Sequence, residues 1–181
     1  ERRSSFDRIL TSTAVNFINL PVDEVDDAIN NALGDVAVFL QIDQACIYML
    51  NENGRFLQTT HSWPQTNHPS PSPSRDFGNL PASLLKKWLP CLRQQELLYI
   101  ENLADVEAET QSEQTFLAMQ GSKSALIIPL ISGPETVGFL GLYSCQLDPA
   151  WHTENLDAIK MAGTIFTNAL LRHRDEAKLV K

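Results

Sequence analysis

Cysteine is scarce in this chain: only Cys46, Cys91 and Cys145 occur among 181 residues. The number is odd and no pair has C-x-x-C spacing, which argues against a disulfide framework and for a reducing compartment, the cytoplasm by default. Basic residues are also few, with 14 Lys and Arg against 22 Asp and Glu and a net charge of −8. An acidic surface repels phosphate backbones, and no window gathers enough Lys and Arg to reverse that locally, so nucleic acid is not an expected partner. No stretch approaches the roughly 18 uncharged apolar residues that cross a bilayer. The start lacks the apolar segment followed by small residues that marks a secretion signal. No membrane contact is expected from this fragment. The chain opens at Glu1 without Met and closes in charged, helix-like sequence, so both ends are expected to be cuts inside a longer protein.

Motifs that carry chemistry are missing too. No G-x-S-x-G elbow raises a nucleophilic serine. His61, His68, His152 and His173 are scattered without metal-ligand spacing, so no metal site is expected. The GSKS run at 121–124 looks superficially like the end of a phosphate loop, but it follows a helix and precedes a strand, the reverse of what phosphate cradling requires. The acidic residues between 101 and 113 read as a solvated edge. Arg2, Arg3 and Arg8, with Arg172, Arg174, Lys178 and Lys181, read as solvated helix faces. No catalytic residue emerges, and this fragment is not expected to be an enzyme.

What is present fits one domain, with 43% hydrophobic and 20% charged residues. Phe6, Leu10, Ala14 and Phe17 recur at helical intervals until Pro21. Val22, Val25, Ile29, Leu33 and Val36 form a second stripe, with Asp23, Glu24, Asp26 and Asp27 in its first turns where negative charge suits the dipole. Residues 45–50 and 55–63 read as strands around an Asn53-Gly54 turn. The Pro- and Ser-rich stretch 64–79 reads as a loop inside one domain. Residues 81–89 read as a short helix that Pro90 ends, and 97–100 as a short strand. Thr110 and Glu113 have capping-box spacing ahead of a helix that Gly121 stops. Residues 124–130 and 136–144 read as a hairpin central to a sheet. Thr153 caps a last helix with Leu156, Ile159, Gly163, Phe166 and Leu170 on its stripe. The order predicts an α+β fold: one antiparallel sheet, terminal helices on one face and a looped region on the other.

Five runs occur in a further meaningful order: FINLP at 17–21, THSW at 60–63, GSKSALIIPL at 121–130, VGFLGL at 137–142 and WHTENL at 151–156. With this element order the chain resembles the GAF domains of bacterial, especially cyanobacterial, multi-domain sensors. The resemblance implies about six antiparallel strands, a small-molecule pocket on the looped face, and terminal helices that pair in a parallel homodimer and continue toward an output domain. It divides the chain into an incoming signalling and dimerisation helix (1–20), the GAF domain (21–171) and the start of a linker helix (172–181). The implied output is a histidine kinase or a cyclic-dinucleotide enzyme on the same polypeptide. A subgroup carries His-Glu-Trp where this chain has His61, Ser62 and Trp63, which removes a carboxylate from that position.

The hairpin reading sets Ile128 opposite Phe139, Leu126 near Gly141 and Ser124 near Tyr143, with Leu140 and Leu142 on the other face. Ser124, Leu126, Phe139 and Tyr143 are therefore assigned to the pocket face, covered by Phe116, with Trp63 and Trp88 as walls or lid. In bilin-binding relatives Tyr143 falls where a chromophore-contacting His stands. The alternative is that all of these are core side chains closing a vestigial cavity. Residues 102–120 hold no cysteine, so the covalent bilin site of phytochrome-like relatives is absent, and the Asn-Lys and Phe-Asp-Glu elements of the phosphodiesterase type are missing. No covalent cofactor is expected, and an unknown small ligand is. Two rivals stand beside the sensor reading: a ligand-free dimerisation scaffold, and a free methionine sulfoxide reductase, whose exposed low-pKa thiolate these cysteine positions do not suit.

Overall fold

The computed structural model describes residues 2–63, 80–105, 113, 121–146 and 153–179. Helix α1 (Arg2–Asn19) buries Phe6, Leu10 and Phe17 from the stripe seen in sequence, with Ala14 half-buried. Pro21 precedes a single 3-10 turn (Val22–Glu24), and α2 (Val25–Leu40) follows, burying Val25, Ile29, Leu33 and Val36. No glycine ends α2. Gln41 takes the left-handed conformation instead, at φ 57°, and the next amide, of Ile42, closes back on Ala37 at 3.0 Å. Helix α4 (Thr153–Leu179) completes the layer, while α3 (Trp88–Arg93) lies elsewhere. Phe6 stacks on Phe39 with ring centroids 4.6 Å apart, joining α1 to α2, and Phe17 meets Phe166 of α4 at 6.3 Å.

The strands are β1 (Gln44–Leu50), β2 (Phe56–Trp63), β3 (Leu80–Pro81), β4 (Leu98–Ile100), β5 (Ser124–Ser132) and β6 (Glu135–Ser144). They form one six-stranded antiparallel sheet in the order β3-β2-β1-β6-β5-β4, with the β5–β6 hairpin inside it as expected. Asn51 fastens the first turn: its side-chain oxygen accepts the amides of Arg55 and Phe56, each at 3.0 Å. Side chains alternate across the sheet. Ala45, Ile47, Met49, Leu126, Ile128, Leu130, Leu140 and Leu142 join the core beneath α1, α2 and α4. Cys46, Tyr48, Ala125, Ile127, Phe139 and Tyr143 belong to a second core on the opposite face. Among the described residues no helix is long and apolar enough to cross a membrane.

Other expectations need correction here or fall outside the described residues. The segment 81–89 is two pieces, a 3-10 turn (Ala82–Leu85) and α3, and Pro90 lies inside α3 rather than ending it. Pro90 is the third residue of that helix, where an amide has no intrahelical partner to lose. Arg172 is not on a solvated face. It is half-buried, and its guanidinium donates to the carbonyls of Ile18 and Leu20 at 3.1 and 3.4 Å, tying α4 to the end of α1. The stretch 64–79 lies outside the described residues. So does the helix expected before Gly121, except for Glu113, which is helical and fully buried rather than on the solvated acidic edge expected for 101–113; Gly121 itself has the left-handed φ of 70°.

Two glycines make the role of close approach testable. A Cβ at Gly138 would come within 2.1 Å of the Tyr48 carbonyl oxygen across the β1–β6 pair, whereas Gly133 has open space and only a φ of 58° to satisfy. Gly138→Ala is expected to cost about 3 kcal/mol or more by overpacking, and Gly133→Ala about 1 kcal/mol through φ alone. Urea denaturation of both variants checks this; an equal loss at the two positions would refute the close-approach account.

Candidate functional site

The register of the β5–β6 hairpin decides which residues face the looped side. At the turn Ser132 pairs with Glu135 and Ile131 with Thr136, so the ladder extends into 131–135, which the sequence assigns to the connection. A bulge then intervenes, with Val137 as the extra residue, so that Leu130 pairs with Gly138 and Ile128 with Leu140 rather than Phe139. Beyond it every pairing is one residue from expectation, and Leu126, Ile128 and Ser124 separate from Phe139 and Tyr143.

The residues assigned to a pocket are therefore divided. Phe139, Tyr143 and Trp88 do come together in the second core. Leu126 packs in the helix-side core, and Ser124 alternates onto its side, donating from Oγ to the Gln146 carbonyl at 2.8 Å. Trp63 also lies on the helix side. It pairs with Ala45, packs against that core, and leaves so little room that a Cβ on Gly34 would meet its Nε1 at 2.7 Å. Its face follows from a bulge between β1 and β2, where Ile47 pairs with His61 but Tyr48 with Thr59. Phe116 lies outside the described residues.

Two residues that sequence reasoning left out complete the floor. Cys46 and Tyr48 of β1 sit beside Gly141 and Phe139 of β6, and the Tyr48 and Phe139 rings stack at 4.5 Å. The Tyr143 hydroxyl donates to that of Tyr48 at 3.1 Å, Tyr48 is hydrogen-bonded to Cys46, and Gln44 Nε2 donates to Cys46 Sγ at 3.4 Å. The Tyr143 phenol folds back over Gly141, where a Cβ would come within 2.4 Å of its hydroxyl oxygen. Alternation along 44–50 was the available signal for Cys46 and Tyr48. It could not say which face they take without the pairing to β6.

The cover is Leu85, Trp88, Leu89 and Leu92, all buried. The 6-residue α3 is too short to hold its own ends, and the carboxylate of fully buried Glu113 accepts the amides of Lys87 and Trp88 at its start. Thr136 Oγ1 donates to the Leu92 carbonyl at 2.7 Å and anchors the other end to β6.

Burial sets the electrostatics. It pushes the Cys46 thiol up to about 11, and holds both the Tyr48 and Tyr143 phenols well above their usual value of 10. All three are neutral at pH 7. They offer hydrogen bonds and polarizable surface to a neutral or anionic group, but no thiolate or phenolate nucleophile. Among the described residues no group of His, Cys, Asp and Glu could hold a metal ion.

On the opposite face His61 is 7% exposed, with Nε2 2.8 Å from Asp26 Oδ1 and Nδ1 2.9 Å from Thr60 Oγ1. Burial lowers its pKa from 6.5, and Asp26 opposes that shift without cancelling it.

The family model described as GAF domain matches residues 24–170. A stretch of 71 residues is 31% identical to the methanogenesis regulatory histidine kinase FilI of Methanothrix harundinacea (strain 6Ac), covering 39% of this chain and 8% of that protein. The chain thus spans less than a tenth of that relative. The fold is similar to the phycoerythrobilin-bound GAF domain of a cyanobacterial phytochrome, with a TM-score of 0.72, 18% identity and coverage of 95% of this chain and 97% of that one. It is also similar to a domain assigned to a two-component sensor histidine kinase protein of Sinorhizobium meliloti 1021, at a TM-score of 0.63, 16% identity and coverage of 90% and 99%.

Two outcomes follow for the two faces. If the Tyr143 ring is what Gly141 makes room for, Gly141→Ala destabilises the chain strongly in the native background and much less in a Tyr143→Leu background. A double-mutant cycle in urea measures the difference, and additive losses would refute the contact. His61 has a depressed folded pKa, so its share of stability is present above 6.5 and is lost as pH falls through that value toward the folded one. Unfolding midpoints at about pH 7.5 and pH 5.5 should therefore differ more in the native chain than in His61→Gln.

Proposed function

We propose, from the premise that this chain belongs to the GAF domain family, that it is a non-catalytic sensory module holding a small ligand between the sheet and α3. The observation that carries this is the hydroxyl relay Tyr143–Tyr48–Cys46 on an otherwise apolar floor. Ligand sites are mostly apolar with a few convergent polar groups, and this face has that composition. The relay ends on sulfur, a weak acceptor, so a ligand oxygen would be a better partner for the Tyr48 hydroxyl. The ligand in this reading is compact, largely apolar and carries a hydrogen-bond acceptor. It is held without a covalent bond, since residues 102–120 lack the cysteine that attachment needs.

Ligand binding would bias the packing of α1 against α4, and these helices would pass the change along a parallel homodimer to an output domain of the same polypeptide. Such relay needs two helix packings within a few kcal/mol of each other, so that a ligand's differential affinity selects between them. Similarity to FilI supports a histidine kinase as that output, and three cysteines without disulfide spacing support the cytoplasm as the module's location. The reductase reading loses support, because burial raises both Cys46 and the more exposed Cys145 where reduction needs a low-pKa thiolate. A ligand-free dimerisation scaffold is the second reading. It is favoured by the near-complete burial of Tyr48, Phe139 and Tyr143, at 2%, 1% and 1% exposure.

Native mass spectrometry of freshly purified chain, followed by a thermal-shift panel of small carboxylates and carbonyl compounds, separates the two. A ligand at 100 times its Kd adds about 2.7 kcal/mol, a rise of several degrees. Tyr143→Phe should then weaken binding by roughly tenfold at most. A bare mass with no shift across the panel would leave the scaffold.

A further inference from the structure

One carboxylate on the helix side joins three separate elements. Asp26, in the first turn of α2, places Oδ1 2.8 Å from His61 Nε2 on β2 and 3.5 Å from His173 Nδ1 on α4. We propose that Asp26, His61 and His173 form a proton-sensitive clamp that fastens the outgoing end of α4 to the sheet. The clamp rests on this geometry and holds whether or not the opposite face binds a ligand.

The surroundings of His61 suit it to two protonation states. As a neutral ring with its proton on Nε2, it donates to Asp26 and accepts the Thr60 hydroxyl on Nδ1, at 2.9 Å. As a cation it donates from Nδ1 to Thr60, whose hydrogen then turns to the Ile47 carbonyl at 3.4 Å. Neither state strands a buried donor. The bulge that makes Thr60 the extra residue of β2 sets this arrangement.

Charge balance gives the clamp its direction. One proton on the pair of imidazoles puts a single positive charge beside one carboxylate, which tightens the joint. A second puts two cations on one oxygen, one of them in a buried position, which loosens it. The other charged groups on the elements meeting here are Asp23 and Glu24 of the 3-10 turn, Asp27 and Asp35 of α2, and Glu154, Asp157, Lys160, Arg172, Arg174, Asp175, Glu176 and Lys178 of α4. Arg172 is already engaged by Ile18, Leu20 and Glu176, and β1 meets His61 with apolar Ile47. His173 adjoins Arg172, so the clamp and the tie to α1 share one turn of α4.

Amide hydrogen exchange over about pH 5 to 8, corrected for the chemical exchange rate and run with a chelator, tests the proposal on the whole chain. In the native sequence, protection of the last turns of α4 should rise about two- to fivefold on mild acidification, the range of an exposed ion pair, and fall again at the acid end. Asp26→Asn should flatten the profile. His173→Gln, a change near the end of a helix that spares the His61–Asp26 contact, should remove the rise alone. A flat native profile, or a response unchanged in Asp26→Asn or His173→Gln, overturns the proposal. Circular dichroism at each pH confirms that the comparison is between folded chains.

Discussion

The approach of β6 to β1 is the constraint on which both faces of this domain depend. Glycine at 138 lets the strands pair where any side chain would collide with the Tyr48 carbonyl, and glycine at 141 leaves the hollow that the Tyr143 phenol fills. Between turn and pairing, the bulge at Val137 fixes which edge of β6 each residue presents. Moving that bulge would turn Phe139 and Tyr143 toward the helices and Leu140 and Leu142 toward α3. The Tyr143 hydroxyl would then enter the apolar core beneath the helices and lose its Tyr48 partner, at the cost of an unsatisfied buried donor.

Legibility in the sequence followed the range of the interaction. Helices α1, α2 and α4 were readable because their buried stripes are periodic within one element, and β1, β2, β5 and β6 because apolar runs end at marked turns. What failed depended on partners far along the chain. Nothing near Val137 announces a bulge, so strand alternation alone sets Leu126 and Ser124 on the wrong face. Nothing near Trp63 announces Gly34, and nothing near Arg172 announces the carbonyls of Ile18 and Leu20. Cys46 and Tyr48 were missed because their face is defined only by β6. The general penalty on proline does not distinguish a first turn from an interior, so Pro90 reads as a helix end.

The site and the helices are separated by one sheet, and the same strands serve both. Cys46 and Tyr48 touch the floor of the site while Ala45, Ile47 and Met49, their immediate neighbours, touch α2 and its companions. A packed sheet does not deform smoothly, so displacement on one face reaches the other through strand shifts or not at all. Gly34, pressed by the Trp63 ring, and Arg172, bound to the end of α1, are places where such a shift would be felt as backbone movement.

Energetics decide what could occupy the looped face. The tyrosine pair and the thiol already satisfy one another, so an entering molecule must replace these bonds as well as displace apolar contacts. An apolar molecule alone would offer the Tyr48 hydroxyl no stronger acceptor than the Cys46 sulfur. One with an oxygen acceptor exchanges a weak O–H···S bond for a stronger O–H···O bond while its apolar body recovers about 25 cal/mol per Å² of buried surface. The cost is opening the cover, which hangs on Glu113 at one end of α3 and Thr136 at the other. Those two hydrogen-bonded hinges, more than the floor, would set how much affinity remained for any molecule that entered there.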